Sequence, residues 1–575
     1  MTILYQANFD SQTTGVAPTG WTAITGTWQV GFLNPISGTH SFYNPANGDG
    51  NIAVYTAGST ATTDQNFQVS WSYPNTTTSL PCPGARCSAD GQNGYFLLWQ
   101  PSTTKLIIFR RVTGTYTNIA NAVVAGITAG NTYNIEVSAV GTTISGRIWQ
   151  RGTQRPSAAQ VSVTDSSLTA GTAGLYYVGL TSNGACDDVV WTDATSIGAV
   201  FPVDTANVTW SPYNWDTLNV SDFGVTLKSM QTTACGAYIK FSATNTTSFT
   251  LGIDTFPLIG FGTNTPKVAW SVDTGPLQSA QLTVDNMYLN LASGLTLGTH
   301  TIEVWLFGSV ETQGSRWGSA GVSPTNVLRI NGLGIDSGGS ITAFPLVRPK
   351  KAAFFGDSIV EGVRAAGTTT EPADHARSSA WFACIALNCE YGVLGYGATG
   401  WEQAGNGNVP AFPSSWNLYS ASRSRTLSGA DYVFVMHGYN GTAVASDITN
   451  WITAARADAG PQAWIFVVNA PSGKLASVQI AGVNAYLSAN PSDTKVASID
   501  YSDRIRTTSF NNVGGPGFLE STDGVHPLEW ANGEIGSAIA SKVQTVLSSG
   551  STGSTVIDLG GGFGMTTTGS AVVIL

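Results

Sequence analysis

The sequence predicts a multidomain, mostly β protein whose last large unit is α/β. Its length of 575 residues is too great for one hydrophobic core and corresponds to roughly three or four domains. Through the first two units, short runs with period-two alternation are separated by Gly-, Pro- and Asn-rich turns. After Pro349, short apolar runs alternate with helical patterns. We therefore expect two all-β sandwich units, 1–195 and 203–346, an α/β unit over 351–549 and a β-prone tail over 550–575.

Composition favours a folded protein that does not bind nucleic acid. Charged residues make up 10% of the chain, against a usual ~25%, while 42% of residues are hydrophobic and 10% aromatic. That apolar content is ample for burial, which argues against disorder. The net charge of -10 argues against a nucleic-acid partner, because a phosphate-binding surface needs clustered Lys and Arg. No window approaches ~18 uninterrupted apolar residues, so we expect no membrane contact.

The first unit, 1–195, is predicted to be an antiparallel sandwich. Residues 133–137 alternate with period two, 105–109 do so less cleanly, and turn clusters at 44–48 and 90–94 separate the runs. Strands at this spacing without a helical pattern are typical of a sandwich. The opening ANFDSQTTGVAPTGWTAITGTWQV and the closing GLYYVGLTSNGACDDVVW resemble the first and last strands of concanavalin-like jelly rolls. That resemblance implies a glycan-binding module.

The second unit, 203–346, follows a linker-like stretch over 194–202. Its clearest predicted strands are 301–306 and 327–330, and it shows no helical pattern. We expect a second, smaller β-sandwich.

The third unit, 351–549, is predicted to contain a parallel sheet covered by helices on both faces. In the predicted helix 447–459, which ends at Gly460, the residues Ile448, Trp451, Ile452 and Ala455 share one face. The predicted strands are 352–355, 391–394, 432–436, 464–468 and 496–499, and the other predicted helices are 376–388, 475–487 and 531–547.

The tail, 550–575, is rich in Gly and Thr and ends in the apolar run Ala571–Leu575. An apolar, β-prone segment of this kind would promote aggregation through its unpaired strand edge if it were left free. We therefore expect it to pair with another subunit in a symmetric homo-oligomer, a trimer if the chain is a tail protein.

The six cysteines do not have the spacing of a zinc site, and with only five histidines we expect no metal and no cofactor. Cys82 and Cys87 flank a turn-like Pro-Gly-Ala-Arg segment, which suggests a local disulfide. Cys384 and Cys389 are interpreted as buried thiols. For Cys186 and Cys235 the sequence does not distinguish a thiol from a disulfide.

Two distant motifs together predict nucleophilic catalysis. Gly356-Asp357-Ser358 follows the apolar run 352–355, and an Asp-x-x-His-Pro motif, Asp523 to Pro527, comes far downstream. A serine, a histidine and a carboxylate supply a nucleophile, a base for its proton and a group that fixes the tautomer of the base. Ser358 also lies just beyond the carboxyl end of the first predicted strand, where open α/β sheets bind ligands. A hydrolase that transfers an acyl group to water is the leading interpretation.

These motifs, with a Gly and an Asn between them, resemble the SGNH (GDSL-type) hydrolases over about residues 351–547, and the Gly-x-Ser-x-Gly elbow of another hydrolase fold is absent. The resemblance implies Ser358 as nucleophile, His526 as base and Asp523 as the third triad member. It also implies three oxyanion donors: the backbone N–H of Ser358, the backbone N–H of Gly397 and the side-chain amide of Asn440. Each such donor is worth ~3–4 kcal/mol of transition-state stabilisation.

The chain departs from the family at Gly441, where the family usually has Asp after the Asn. Without this Asp, the sequence does not show which hydrogen bonds fix the loop that contains Asn440.

The sequence also offers other interpretations of single motifs. Gly395 to Gly400 fits Gly-x-Gly-x-x-Gly, but a dinucleotide site needs an acidic residue ~20 positions later, and none lies between Glu402 and Asp431. His437 is a rival base, although a histidine that ends a buried strand is more often structural. Three other histidines have no assigned role: His375 lies in a polar segment, and His40 and His300 lie in the β units without an identifiable partner. Three aromatic residues, Trp401, Tyr439 and Trp416, either line a substrate pocket or pack in the core.

The expected reaction is removal of O-acetyl groups from a polysaccharide. SGNH members attached to lectin-like sandwiches act mainly on acetylated carbohydrates, and the second unit resembles in layout the small β-sandwich of some carbohydrate esterases. Residues 1–6 show no signal-peptide pattern, so we expect a virion tail, as in a phage tail spike or fibre, or another extracellular setting. The alternatives are a secreted lipase or polyester-type esterase, and a glycan-binding adhesin with an inactive hydrolase domain.

Overall fold

The computed structural model describes three folded units along the chain. The residues described are 3–46, 49–58, 61–76, 78, 80–153, 155–179, 183–193, 199–222, 225–285, 287–310, 316–320, 322–336, 338–367, 377–505, 507–511 and 519–549. The predictions for the tail 550–575, for His375 and for most of the linker therefore lie outside the described residues. Within them, no helix is both long and apolar enough to span a membrane.

The first unit is an antiparallel sandwich of an eight-stranded and a seven-stranded sheet, as predicted. Its first strand pairs with its last, since Tyr5 lies opposite Trp191. Alternate residues Phe67, Val69 and Trp71 point into the core between the sheets, as the period of a strand requires. The strands are β1 (Ile3–Ala7), β2 (Trp21–Thr25), β3 (Gln29–Gly31), β4 (Ser41–Tyr43), β5 (Asn51–Tyr55), β6 (Gln65–Tyr73), β7 (Leu80–Cys87), β8 (Gly94–Gln100), β9 (Lys105–Val112), β10 (Thr115–Val123), β11 (Asn131–Val140), β12 (Thr143–Gln150), β13 (Val161–Thr164), β14 (Thr172–Val178) and β15 (Ala185–Asp193).

The suggested disulfide between Cys82 and Cys87 is wrong. Both residues are free, buried thiols in the single strand β7. Five steps along a strand span roughly 17 Å, whereas a disulfide needs Cα atoms within about 7 Å. The other four cysteines are also buried thiols that form no disulfide, as predicted for Cys384 and Cys389.

The second unit is a smaller sandwich of two six-stranded sheets. Its core lies between the sheets and includes Phe241, Leu251, Ile302 and Ile330. The strands are β16 (Ala199–Phe201), β17 (Thr209–Trp210), β18 (Asp216–Asp222), β19 (Val225–Thr232), β20 (Tyr238–Thr246), β21 (Phe249–Ile253), β22 (Lys267–Val272), β23 (Gln278–Gln281), β24 (Tyr288–Ala292), β25 (Gly298–Gly308), β26 (Leu328–Ile335) and β27 (Ser340–Thr342).

The third unit is built on a five-stranded parallel sheet with the order β29-β28-β32-β33-β34. Its elements are β28 (Lys350–Gly356), α1 (Ser358–Glu361), α2 (Ser379–Ala386), β29 (Cys389–Gly395), β30 (Leu418–Ser420), β31 (Arg423–Ser424), β32 (Tyr432–Met436), α3 (Ala445–Ala459), β33 (Trp464–Val468), α4 (Ala476–Ala489), β34 (Val496–Ile499), β35 (Phe510–Asn511), β36 (Leu519–Glu520) and α5 (Glu529–Ser549). Four short 3₁₀ turns complete the described elements, at Pro101–Thr103, Phe256–Leu258, Phe412–Ser414 and Ser502–Arg504.

Helices cover both faces of this parallel sheet. On one face, α2 and α5 pack against side chains such as Phe354 and Phe434. On the other, α3 and α4 pack against Phe355 and Val433, with the predicted face of α3 pointing inward. Successive strand residues are therefore buried alternately by the two helical layers, which explains the continuously apolar strand sequences.

Contacts join the units in pairs. Between the first two, the side chain of Gln6 exchanges hydrogen bonds with the backbone of Tyr288, and Asn8 Nδ2 donates to Thr255 Oγ1 at 3.0 Å. A cleft of about 1060 Å³ lies between the same two units, with Trp149 and Arg151 among its lining residues. Between the second and third units, Lys240 and Glu390 form a buried ion pair.

Candidate active site

Ser358 lies at the sharp corner between β28 and α1. Asp357 caps this short helix, because its Oδ1 accepts the Ile359 N–H at 3.0 Å. Gly356 is required before it, since a Cβ there would lie 2.2 Å from Val360 Cγ2 and 2.8 Å from Met436 O. The corner thus holds the Ser358 side chain at the carboxyl end of β28, where the sequence places a ligand site.

The structure brings Ser358, His526 and Asp523 together. His526 Nε2 lies 2.8 Å from Ser358 Oγ, and His526 Nδ1 lies 2.7 Å from Asp523 Oδ2. With its Nδ1–H donated to the carboxylate, the neutral imidazole has Nε2 free to accept the serine proton. This arrangement contains a nucleophile, a base and an orienting carboxylate in the order that acyl transfer requires.

The Asp-x-x-His segment orders itself through local hydrogen bonds. Asp523 Oδ1 accepts the backbone N–H groups of Val525 at 3.0 Å and of His526 at 2.9 Å. Burial raises the pKa of the Asp523 carboxyl, but the hydrogen bonds from His526 and Val525 outweigh that effect and hold the pKa far below its usual range. Asp523 therefore stays ionised at any practical pH.

His437, the rival base, lies in an apolar setting. Its ring centroid is 4.6 Å from that of Phe412 and 6.1 Å from that of Trp401. Burial lowers the pKa of His437 to about 3, so the ring is neutral. His437 does not hydrogen-bond to Ser358, whereas His526 does.

Two of the three predicted oxyanion donors are available. The Ser358 N–H donates to no acceptor among the described residues. One hydrogen of the Asn440 amide goes to Thr399 O at 3.2 Å, which anchors the side chain and leaves the second hydrogen for a ligand. Gly400 permits this contact between loops, because a Cβ there would lie 2.4 Å from Asn440 O.

The predicted role of Gly397 does not agree with the structure. Its N–H already donates to the buried carboxylate of Glu361 at 2.7 Å. The next residue, Ala398, has φ +62° and an N–H without an acceptor in the described part of the chain. The free backbone donor of this loop therefore lies one residue further on. An alanine in the left-handed region gives no sequence signal, so sequence reasoning missed it.

Lys474 supports the loop at Gly441, where the family would have Asp. Lys474 Nζ donates to Gly441 O at 3.1 Å, and its distance to Tyr439 O is 3.5 Å. Gly441 has φ +69°, a conformation that favours glycine. A long basic side chain thus fixes backbone carbonyls on both sides of Asn440.

Of the aromatic residues predicted to line a pocket or pack in the core, two lie in the core and one lies beside the site. Trp401 is only 1% exposed and packs against Phe412 and Trp451, and Trp416 lies in the same core cluster, so neither lines a pocket. Tyr439 is half-buried beside the site, where burial and the charges of Asp523 and Asp357 raise its pKa.

His300 and His40 lie in the β units and have local partners. His300 Nδ1 is 2.6 Å from Asp273 Oδ2, and His40 Nδ1 is 2.8 Å from Thr39 Oγ1. No group of His, Cys, Asp and Glu in the described ranges has the geometry to hold a metal ion.

Sequence reasoning also missed the contacts of four ionisable groups around the site. Arg364 Nη1 lies 2.5 Å from Asp523 Oδ2, and Glu361 pairs with Arg316 of the second unit. Asp357 was seen only as part of the motif, yet burial raises the pKa of its carboxyl to about 7. No local pattern marks any of these contacts.

Comparison with known proteins finds similarity at the level of solved structures. No family model matches the chain, and no curated protein matches it. A carbohydrate esterase family 2 enzyme with a carbohydrate-binding domain from Corynascus thermopiles (Myceliophthora fergusii) is 16% identical, with a TM-score of 0.43 over 59% of this chain and 99% of its own. An acetyl xylan esterase from Butyrivibrio proteoclasticus is 15% identical, with a TM-score of 0.45 over 60% and 96%.

The carbohydrate-binding module CBM66 from Bacillus subtilis is 17% identical, with a TM-score of 0.23 over 32% of this chain and 96% of its own. These three solved structures are described as two carbohydrate esterases and a carbohydrate-binding module. None of the three is described as a phage protein, so the virion setting stays a prediction.

Proposed function

We propose that the protein is a serine esterase that removes O-acetyl groups from a polysaccharide, with Ser358 as nucleophile, His526 as base and Asp523 as the residue that orients the base. One observation carries the proposal: the continuous relay from Ser358 Oγ to His526 Nε2 at 2.8 Å and from His526 Nδ1 to Asp523 Oδ2 at 2.7 Å. No cofactor is needed for this chemistry.

In the first half-reaction His526 Nε2 takes the Ser358 proton while Oγ attacks the acetyl carbonyl carbon. The carbonyl oxygen becomes an oxyanion, for which we propose three donors: the Ser358 N–H, the Ala398 N–H and the second amide hydrogen of Asn440. Collapse of the intermediate breaks the bond to the sugar oxygen, which receives the proton from His526, and leaves acetyl-Ser358.

The second half-reaction uses water in place of the sugar. His526 takes a proton from water, the resulting hydroxide attacks the acetyl-serine carbonyl, and a second oxyanion forms at the same donors. Its collapse breaks the bond to Ser358 Oγ, which regains a proton from His526, and acetate leaves. Asp523, ionised throughout, stabilises the imidazolium formed in each step.

The polysaccharide as substrate class follows from the resemblance to SGNH enzymes that carry lectin-like sandwiches. The similar solved structures are described in the same terms, as carbohydrate esterases. Trp149 and Arg151 are among the residues that line the cleft between the two β units, which gives a polymer a second surface to contact.

Acetate release from acetylated bacterial and plant polysaccharides tests the proposal, with the same polymers after chemical deacetylation and Ser358→Ala as controls. We expect acetate from the parent on acetylated polymer only, and labelling of Ser358 by a fluorophosphonate. Faster hydrolysis of long-chain esters than of acetyl esters would identify a lipase instead. Absence of both turnover and labelling would identify a binding protein with an inactive hydrolase fold.

A further inference from the structure

Glu361 is a buried carboxylate directly behind the proposed catalytic serine. It is the last residue of α1, which begins at Ser358, and it is 0% exposed. Its Oε2 accepts the Gly397 N–H at 2.7 Å, while its Oε1 lies 3.7 Å from Cys235 Sγ. Close packing reinforces the contact, since a Cβ at Gly395 would lie 2.2 Å from Glu361 N. Glu361 therefore connects the serine helix to the loop that follows β29.

The countercharge for Glu361 comes from the second β unit. Arg316 Nη2 lies 2.7 Å from Glu361 Oε1, and the two side chains are 1% and 0% exposed. Arg316 Cζ also lies 5.5 Å from the ring centroid of Tyr396, the residue before Gly397. Burial alone would lower the pKa of Arg316, but the Glu361 charge outweighs that effect and raises it, so the guanidinium stays charged.

The segment around Arg316 is locked into the third unit. Trp317 packs edge-on against Tyr396 at 5.7 Å, its N–H donates to Gly407 O at 3.1 Å, and its carbonyl accepts the Ala421 N–H at 3.0 Å. Arg316 also packs against Gly407, where an added Cβ would lie 3.1 Å from Arg316 Cβ. The arginine therefore approaches Glu361 on a fixed backbone.

Both backbone polar groups of Gly397 are held by hydrogen bonds. The Gly397 N–H is fixed by Glu361, and the Gly397 carbonyl accepts the Asn406 N–H at 2.9 Å. A trans peptide bond is planar, so its carbonyl and its N–H point in opposite directions. Fixing Gly397 O toward Asn406 therefore fixes the direction of the Ala398 N–H, which the proposed function uses as an oxyanion donor.

We infer that Arg316 and Glu361 are positioning residues for the esterase centre, and that the second β unit is therefore part of the catalytic unit. The inference rests on the proposed function. Neither side chain touches substrate. Glu361 anchors the N–H of Gly397, the residue that leads into the Gly397–Ala398 peptide, and Arg316 supplies the countercharge that orients this carboxylate in a site without solvent.

A matched control exists at the opposite end of the same interface. Lys240 of the second unit and Glu390 of β29 lie 2.5 Å apart, with side chains 1% and 4% exposed. Glu390 pairs with Lys351 near the start of the parallel sheet, whereas Gly395 pairs with Gly356 at the end that leads to Ser358. This ion pair therefore joins the same two units without contact to the oxyanion loop.

The test compares two charge-free variants of similar size, Arg316→Met/Glu361→Gln and Arg316→Met/Glu361→Leu. Only the first retains an acceptor for the Gly397 N–H. We expect the Gln variant to keep kcat for p-nitrophenyl acetate within about tenfold of the parent. We expect the Leu variant to lose about 10²- to 10³-fold in kcat, the loss typical of one oxyanion donor, with KM changed by no more than about twofold. Lys240→Met/Glu390→Gln should lower the melting temperature and leave kcat within about twofold.

Equal kcat for the Gln and Leu variants would overturn the inference, and so would an equal loss of kcat in the Lys240/Glu390 control. If the Leu variant does not fold, Arg316→Lys carries the test, because it keeps the charge but not the planar contact with Tyr396. It should lose about tenfold in kcat, and parent-like kcat would contradict the inference. Ser358→Ala is assayed alongside: parent-like turnover there would overturn the proposed function itself.

Discussion

Arg364 Nη1 lies 2.5 Å from Asp523 Oδ2, the same carboxylate oxygen that accepts the hydrogen bond from His526 Nδ1. A guanidinium that is 35% exposed therefore shares the orienting carboxylate with the proposed base. Its positive charge pairs with the Asp523 carboxylate and holds the oxygen that accepts from His526. Arg364 is thus placed to orient the relay through Asp523.

Arg364→Gln should lower kcat for p-nitrophenyl acetate by about tenfold, because the Asp523 oxygen that orients His526 loses the guanidinium that holds it. Steady-state kinetics at one fixed pH measure the change. Lys542→Gln, which removes a cation paired with Asp503 instead, is the control. A parent-like kcat in Arg364→Gln, or an equal loss in Lys542→Gln, would contradict the prediction.

His526→Ala should mainly lower kcat, whereas His437→Ala should mainly lower stability. Removing His526 should lower kcat by about 10⁴-fold or more, since it takes the base from the relay, with little change in melting temperature. Removing His437 leaves a cavity beside Phe412 and should cost roughly 2 kcal/mol or more of stability, with a smaller effect on kcat. Steady-state kinetics and thermal melts on both variants provide the comparison. A complete loss of turnover in His437→Ala at parent-like melting temperature would reverse the assignment.

Asp357→Asn should make stability less dependent on pH. The pKa of buried Asp357 is raised to about 7 from a usual 3.8, so the parent loses stability as pH rises through this window. The amide still accepts the Ile359 N–H but does not ionise. The variant should match the parent near pH 4 and exceed it near pH 8, by up to about 1.4 kcal/mol for each pH unit by which burial raises the Asp357 pKa.

Denaturant unfolding at pH 4, 6 and 8 checks the Asp357 prediction. Asp357→Ala, which also removes the helix cap, should be destabilised at all three pH values. A stability difference between Asp357→Asn and the parent that does not change with pH would refute the raised pKa.

Gly400→Ala and Ala398→Gly should have opposite effects on the oxyanion loop. A methyl group at residue 400 would collide with Asn440 O, so the variant should displace Asn440 and lose about tenfold or more in kcat. Glycine at residue 398 relieves a φ of +62° and should stabilise the protein by about 1 kcal/mol with kcat preserved. Kinetics and melting temperatures on the two variants test this. Full activity in Gly400→Ala would show that Asn440 is not a donor.

Deletion of residues 1–195 should leave turnover of p-nitrophenyl acetate within about twofold and lower the rate on polymer by about tenfold or more. The deletion removes none of the proposed catalytic residues, oxyanion donors or positioning residues, which all lie after residue 195. It does remove the residues of the first unit that line the cleft, Trp149 and Arg151 among them. Acetate release from polymer is compared with small-ester hydrolysis on one preparation. An equal loss on both substrates would show that the first unit supports the site itself.

Much of the third unit could be predicted from the sequence, because its strands and motifs are determined by residues close together in the chain. Strand Tyr432–Met436 and strand Trp464–Val468 have the predicted bounds, since burial on both faces makes each strand a continuous apolar run. Ser358, Asp523 and His526 could be predicted for a related reason. Each motif forms a self-contained corner whose hydrogen bonds involve residues two or three positions apart.

The remaining features depend on contacts between distant segments. Pro83 and Gly84 indicate a turn, but burial between β8 and β14 makes the segment a strand. Trp401 stands next to a glycine-rich loop in the sequence, yet its side chain turns into the core against Phe412 and Trp451. That the Gly397 N–H is taken by Glu361 while the Ala398 N–H is not depends on one backbone dihedral and on a distant carboxylate, neither of which has a local pattern.

The contact of Arg316 and Trp317 with the α/β unit also has a consequence for the order of folding. Domains fold from the amino terminus as the ribosome releases the chain. The second β unit therefore leaves the ribosome ahead of the parallel sheet, and we expect the α/β unit to fold against a surface that already carries Arg316. In a circular permutant whose α/β unit is synthesised first, Glu361 would have to be buried before its partner is made. We expect that permutant to give a lower yield of folded protein during synthesis than the natural order.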